Sequence, residues 1–178
     1  GITKTPFVHL RSDCSAKEIE FLIKEFGAKI FNIHSQRQFP LTHDFSKFKK
    51  KIYLENNSAP LIKEAGDWAG LCLDVSHHED KFRKFGPNGD LVKDINLSLK
   101  KYGVGVWHLN AVKPQKFMDL EGGHLGYDSH SFANLKEFDY CKKYKKYLPK
   151  YYIALELENS LAEQLEAKKY VEKLLKLK

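Results

Sequence analysis

The sequence predicts one α/β domain of the (β/α) TIM-type barrel class, abbreviated or lacking N-terminal strands, and three observations carry that reading. Six short apolar runs rich in β-branched and aromatic residues recur, at 6–12, 29–35, 51–57, 70–77, 105–112 and 151–159. Segments with helical period lie between them, and strand, helix, strand in repetition implies parallel strands with crossover helices outside. Most runs close on a carboxylate or an imidazole, at the strand ends where barrels of this class carry their functional residues. An open doubly wound sheet is the alternative, but it should show a Gly-rich first turn, and GxGxxG is missing. A complete eight-fold barrel takes about 250 residues. The 178 residues present are fewer, hence the abbreviation.

The elements follow in order. The first run, PFVHLRS, leads to a helix opened by the capping box of Ser15 and Glu18, with Ile19, Leu22, Ile23 and Phe26 on one stripe and Gly27 at the C-cap position. KIFNIHS and KIYLENN are the next two strands, and only a short segment around Leu61 to Ala69 separates the latter from GLCLDVSH. Asp90 opens a helix carrying Leu91, Ile95, Leu99 and Tyr102, followed by Gly103 and the strand GVWHLNAV. Gly122-Gly123 reads as a flexible turn without a phosphate-cradling GK[ST]. A helix over Asn134 to Leu148 stops at Pro149, YYIALELEN follows, and Ser160 with Glu163 caps a last helix bearing Leu161, Leu165, Val171, Leu174 and Leu175. No linker interrupts this order, so residues 1–178 read as a single domain.

Composition narrows the classes. At 42% hydrophobic and 13% aromatic the chain has material for a core and is not a disordered segment. No run approaches the roughly 18 apolar residues of a membrane span, and GITKTPF lacks a signal-peptide layout. Cys14, Cys72 and Cys141 are an odd, scattered set that indicates neither a disulfide framework nor a cysteine zinc site, so a cytoplasmic location is expected. Met118 is the only methionine, so the initiator was removed or the chain begins partway into a longer one. The net charge of +7 points toward phosphate-bearing partners. Lys49-Lys50-Lys51, Lys142-Lys143 and Lys145-Lys146 could contact phosphates, though a solvated helix face explains them as well.

The strand ends supply His34, Glu55, Asp74 with His77, His108, and Glu156, and a loop adds the pair Asp128-x-His130. Carboxylate mixed with imidazole suits a divalent metal of the zinc, manganese, cobalt or iron kind, whereas magnesium and calcium prefer oxygen alone. A lone histidine near a strand end, such as His9 or His34, is more often structural. Glu55 and Asp74 are harder to explain that way, because an acid buried at a parallel strand end needs a cation or donors. Their joint occurrence lifts the set above its members. His78 and His124 read as surface or loop residues, with His124 able to approach the same mouth.

The strings YLENNS, GLCLDVSH, WHLN, the D-S-H at 128–130 and YIALELE, in this order from about Phe31 onward, resemble endonuclease IV and the wider xylose isomerase-like TIM barrels, which include sugar isomerases and epimerases. The resemblance implies a barrel mouth holding zinc, with His34, Glu55, Asp74, His77, His108, Asp128, His130 and Glu156 as ligands, Glu55 bridging two ions, and cleavage of DNA at abasic sites. The chain differs from the family where Ser35-Gln36 replaces Pro-Gly and Ala111 replaces the Asp after HLN. His9 is its candidate for a further metal histidine, at a shorter spacing from His34.

The isomerase and epimerase relatives imply less: one metal on Glu55, Asp74, His108 and Glu156, with Glu55 and Glu156 as catalytic acid and base. The expected function is therefore a metal-dependent hydrolase of DNA repair, an endodeoxyribonuclease, with zinc foremost and manganese or cobalt possible. The alternatives are a metal-dependent isomerase of a small sugar or its phosphate, and a non-catalytic remnant barrel. The expected partner is DNA with an abasic site or a small sugar, and not a membrane.

Overall fold

Alternation of side chains along short parallel strands builds the molecule. The computed structural model describes residues 4–119 and 124–177, with backbone alone at Asp119 and His124. The apolar runs form β1 (Phe7–His9), β2 (Ile30–His34), β3 (Ile52–Glu55), β4 (Leu71–Asp74) and β5 (Val104–Leu109). A hairpin of β6 (Ala111–Asp119) and β7 (His124–Ser129) intervenes before β8 (Tyr152–Leu155). The helices are α1 (Ala16–Phe26), α2 (Val75–Phe85), α3 (Asp90–Lys101) and α4 (Leu161–Leu175). The Gly122-Gly123 turn and the His124 side chain lie outside the described residues.

Six strands pair in the order β1, β2, β3, β4, β5, β8, all parallel, as a nearly closed barrel. Side chains meet across the seam between first and last strands: the Phe7 and Tyr152 rings stack with centroids 6.4 Å apart. Outward-facing Phe31, Ile33, Ile52, Leu54, Leu71, Leu73, Trp107 and Leu109 form the main core with the surrounding helices. Ile30, Tyr53, Cys72 and Val106, with Phe7 and Tyr152 beside them, pack separately as the floor of the barrel interior. Because inward positions recur every second residue, the next inward layer is His9, Asn32, Glu55, Asp74 and His108. The floor thus sits one step below the polar mouth on nearly every strand. At the β4–β5 irregularity, Gly105 lies so close to the Tyr53 ring that a Cβ would stand 2.1 Å from it.

The capping boxes of α1 and α4 form as their sequences predict, and Gly27 closes α1 in the left-handed conformation at φ 65°. On α3 the buried face is Val92, Ile95, Ser98 and Leu99, one position round from the expected stripe, so that Leu91 is only half-buried. On α4, Ala167, Val171 and Leu175 are buried while Leu161 and Leu165 are exposed. The segment Leu135–Tyr147 is wound as tight 3₁₀ turns, with Phe138, Tyr140, Cys141 and Tyr144 buried. Only short turns, Ser46–Lys51 and Ala65–Asp67, lie between β2 and β3 and between β3 and β4.

Two elements have no counterpart in the sequence reading. Helix α2 starts directly from β4, and the β6–β7 hairpin docks on it through Tyr127 N to Asp80 Oδ1 (2.8 Å) and Arg83 Nη1 to the Lys113 carbonyl (2.9 Å). Among the described residues, no helix is long and apolar enough to cross a membrane.

Candidate metal centre

Parallel strands put all their C-terminal ends on one side, so each strand delivers one side chain to the same mouth. There Glu55 is central and 1% exposed. His108 Nδ1 stands 3.2 Å from Glu55 Oε1 and 2.7 Å from Glu156 Oε1. His9 Nδ1 is 3.6 Å from both Glu55 Oε2 and Glu156 Oε1. These four residues form one group whose ligand atoms all lie within 4.8 Å of one another and could hold a metal ion. Glu55, Asp74 and His77 form a second such group. Glu55 belongs to both.

Asp74 shows how local structure aims a ligand. As the N-cap of α2, its Oδ1 accepts from His77 N (2.8 Å), satisfying an orphan donor of the helix start, and also from Ser76 Oγ. Oδ2 is left for the mouth, 3.6 Å from His77 Nε2. Asn56, the residue after β3, grips the Asp74 backbone, donating to its carbonyl and accepting from its amide at 2.8 Å each. Asn32 Nδ2 donates to Glu55 Oε2. With its amide turned to donate, Asn110 Nδ2 reaches the Glu156 carbonyl at 2.6 Å.

The donor set fits a divalent cation by two independent signs. Asp74 Oδ2 and His108 Nδ1 are buried atoms without an aligned hydrogen bond, although charged neighbours surround them. Buried polar atoms are ordinarily satisfied, so these two, each beside the other donor atoms of its own group, are placed as ligands are.

The second sign is electrostatic. Three carboxylates, Glu55, Asp74 and Glu156, share a space where an isolated charge is costly. Burial alone would raise Glu55, yet the charge of His108 and its contacts with His108 and His34 hold it well below the ordinary range. Burial would likewise raise Glu156, but His108 and His9 hold it at about 2. Burial wins at Asp74 and raises it, although the His77 charge opposes this. The imidazoles answer in kind. Burial should lower His108 and His77, but Glu55 and Glu156 raise His108 to about 10, and Asp74 and Asp128 raise His77 to about 9. In the protein alone, protons on the histidines supply the positive charge that the carboxylates require.

The remaining expected residues fall as follows. His34 is at the rim, with Nε2 3.7 Å from Glu55 Oε1 and its ring 4.6 Å from that of His9. Asp128 Oδ2 stands 2.7 Å from His77 Nδ1, behind the histidine as seen from Asp74. His130 is exposed and lines the same open cleft, of about 1000 Å³. His78, expected near the surface, is instead buried, with Nδ1 2.7 Å from Tyr144 Oη and its pKa lowered by burial to about 4. His9 joins the centre although the sequence reading treats it as more often structural. The positioning residue Asn56 directly follows the ligand Glu55 in the sequence, and alternation along β2 is the signal that could have found Asn32.

Two of the three lysine runs stand away from the mouth. Lys49-Lys50-Lys51 immediately precede β3, and Lys145-Lys146 precede the turn where Lys150 N bonds the Val104 carbonyl, so both lie toward the opposite end of the barrel. Comparison with protein-family models and with curated proteins finds no match to this chain.

Proposed function

We propose that the chain is a divalent-metal-dependent phosphodiesterase of the endonuclease IV type, a TIM-barrel hydrolase of DNA repair that acts at abasic sites. One observation carries this reading: Glu55 belongs to two ligand groups at once, one with His9, His108 and Glu156 and the other with Asp74 and His77. A one-metal isomerase would gather Glu55, Asp74, His108 and Glu156 around a single ion. Here Asp74 groups with His77 and Glu55, apart from the group of His9, Glu55, His108 and Glu156. A carboxylate shared between two ligand groups supports a pair of cations flanking a phosphate, as two-metal phosphodiester chemistry uses.

Zinc fits the mixture of imidazole and carboxylate best, and manganese or cobalt would fit it too. When bound, such ions polarise phosphoryl oxygens and lower the pKa of an attacking water. The chain's own groups do the rest. Glu55, fixed by Asn32, holds the two ligand groups in register, and Asp74, fixed by Asn56 and the start of α2, cannot swing away. Asp128 sets the ring of His77. Lys81, one turn beyond His77 on α2, is the one lysine or arginine lining the cleft among the described residues, and it offers a cation to an anionic substrate. The test is incubation with duplex DNA carrying one abasic site, in zinc or manganese with EDTA as control. Metal-dependent incision supports the reading. Its absence together with interconversion of ketoses or their phosphates would favour the isomerase, for which Glu55 and Glu156 would be acid and base.

A further inference from the structure

We propose that a second, apolar pocket beside His9 and His34 takes a nucleobase, that of a nucleotide adjoining the scissile phosphodiester. The proposal rests on the reading of the mouth as a phosphodiesterase centre and adds a subsite to it. The pocket holds about 370 Å³ and shares His9 and His34 with the metal cleft. That volume falls within the roughly 300–1,000 Å³ of small-ligand sites. Its inner wall is buried Leu10 and Ile33, its outer wall Leu41 and Phe39.

The chemistry of the walls chooses the occupant. A sugar ring would need several convergent hydrogen-bonding groups, and apart from the two histidines the polar lining is only Arg11 and Ser12. A flat heterocycle needs faces to stack on. Phe39 supplies one: the residue is 41% exposed and its ring centroid lies 5.2 Å from that of His34. Arg11 supplies another at the rim, its guanidinium held side-on by Asp13 at 2.8 and 2.5 Å while the side chain is largely exposed. Aromatic and guanidinium planes are the surfaces on which bases stack without regard to sequence.

The pocket is also built in advance. Buried Glu64 accepts from Ser35 Oγ (2.6 Å) and Gln36 N (2.9 Å), pinning the turn in which Phe39 N bonds the Ser35 carbonyl (2.9 Å). Thr42 N bonds the Ser12 carbonyl (3.0 Å) and ties the two loops together. Ser35-Gln36, a departure from the family pattern, is thus what the carboxylate of Glu64 holds.

The experiment compares two ligands on the zinc-loaded full chain by calorimetric titration: 2′-deoxyadenosine 5′-monophosphate, and 2-deoxyribose 5-phosphate, which lacks the base. The nucleotide should bind about tenfold tighter. Phe39→Ala should abolish that difference while leaving the sugar phosphate's affinity unchanged, and Phe39→Tyr should restore it. Equal affinities in the unmodified protein, or an equal loss for both ligands in Phe39→Ala, would overturn the proposal. DNA incision without base-dependent binding discards the pocket alone. Base-dependent binding without incision discards the phosphodiesterase reading and keeps the pocket.

Discussion

His77 Nδ1 stands 2.7 Å from Asp128 Oδ2, and this contact decides which nitrogen of the ring meets Asp74. The carboxylate fixes the ring plane, leaving Nε2 facing Asp74 Oδ2 at 3.6 Å. The hairpin therefore acts on the candidate metal centre at one remove, because Asp128 belongs to β7 and β7 is docked on the helix that carries His77.

Asp128→Asn is expected to weaken zinc binding about 10- to 100-fold, the usual effect of removing a carboxylate behind a metal histidine. The number of ions bound at saturation should not change. Competition against a chromophoric chelator measures both quantities. Loss of an ion at saturation would make Asp128 a direct ligand instead.

Protons and metal compete for the same histidines. His77 and His108, raised to about 9 and about 10, are protonated in the metal-free protein at neutral pH and must be neutral to bind a cation. Zinc binding near pH 7 should thus release protons, and affinity should climb with pH up to that range. Calorimetry in buffers of different ionisation enthalpy reads the release directly. Stability of the metal-free protein carries the opposite slope. Both folded values lie above the ordinary imidazole value of 6.5, so this contribution is complete below it and is lost as pH rises through about 9 to 10.

His78 behaves in the reverse sense. Its folded pKa is lowered to about 4, so its contribution to stability is present above the ordinary value of 6.5 and is lost as pH falls toward 4. The loss should reach the order of 3 kcal/mol. Thermal unfolding of His78→Gln should show a flatter acid limb than the parent, and an unchanged limb would contradict the assignment.

Lys81→Gln tests the cleft cation. Its neighbour Asp80, 3.5 Å from Lys81 Nζ, also keeps Lys84 at 2.8 Å, so the substitution leaves a buried ion pair in place. KM for abasic DNA should rise several-fold with kcat little altered, and the salt dependence of binding should become shallower. A fall in kcat alone would remove Lys81 from substrate binding.

Much of this centre is legible in the sequence, because alternation in a strand of known direction is enough to say which residue faces the mouth. Glu55, Asp74 and His108 each sit two positions beyond a floor residue, Tyr53, Cys72 and Val106 respectively. His9 obeys the same rule from Phe7, but its strand is only Phe7–His9, too short for a period to stand out. Helix α2 was hidden for a different reason. VSHHEDKFRKF lacks an apolar stripe, since its buried face includes Ser76, His78, Glu79 and Asp80, and Glu79 is made tolerable there by Arg83 (2.8 Å) and Lys143 (2.7 Å). Arg83, four residues on, is a readable i,i+4 partner, but Lys143, 64 residues away, is not. The hairpin likewise depends on tertiary bonds to α2 that no alternation within β6 or β7 announces.

The most direct measurement is an anomalous-scattering map of crystals of the zinc-loaded protein. The shared position of Glu55 predicts two zinc peaks, one on each side of its carboxylate, the first bounded by His9, His108 and Glu156 and the second by Asp74 and His77. A single peak held jointly by Glu55, Asp74, His108 and Glu156 would contradict it.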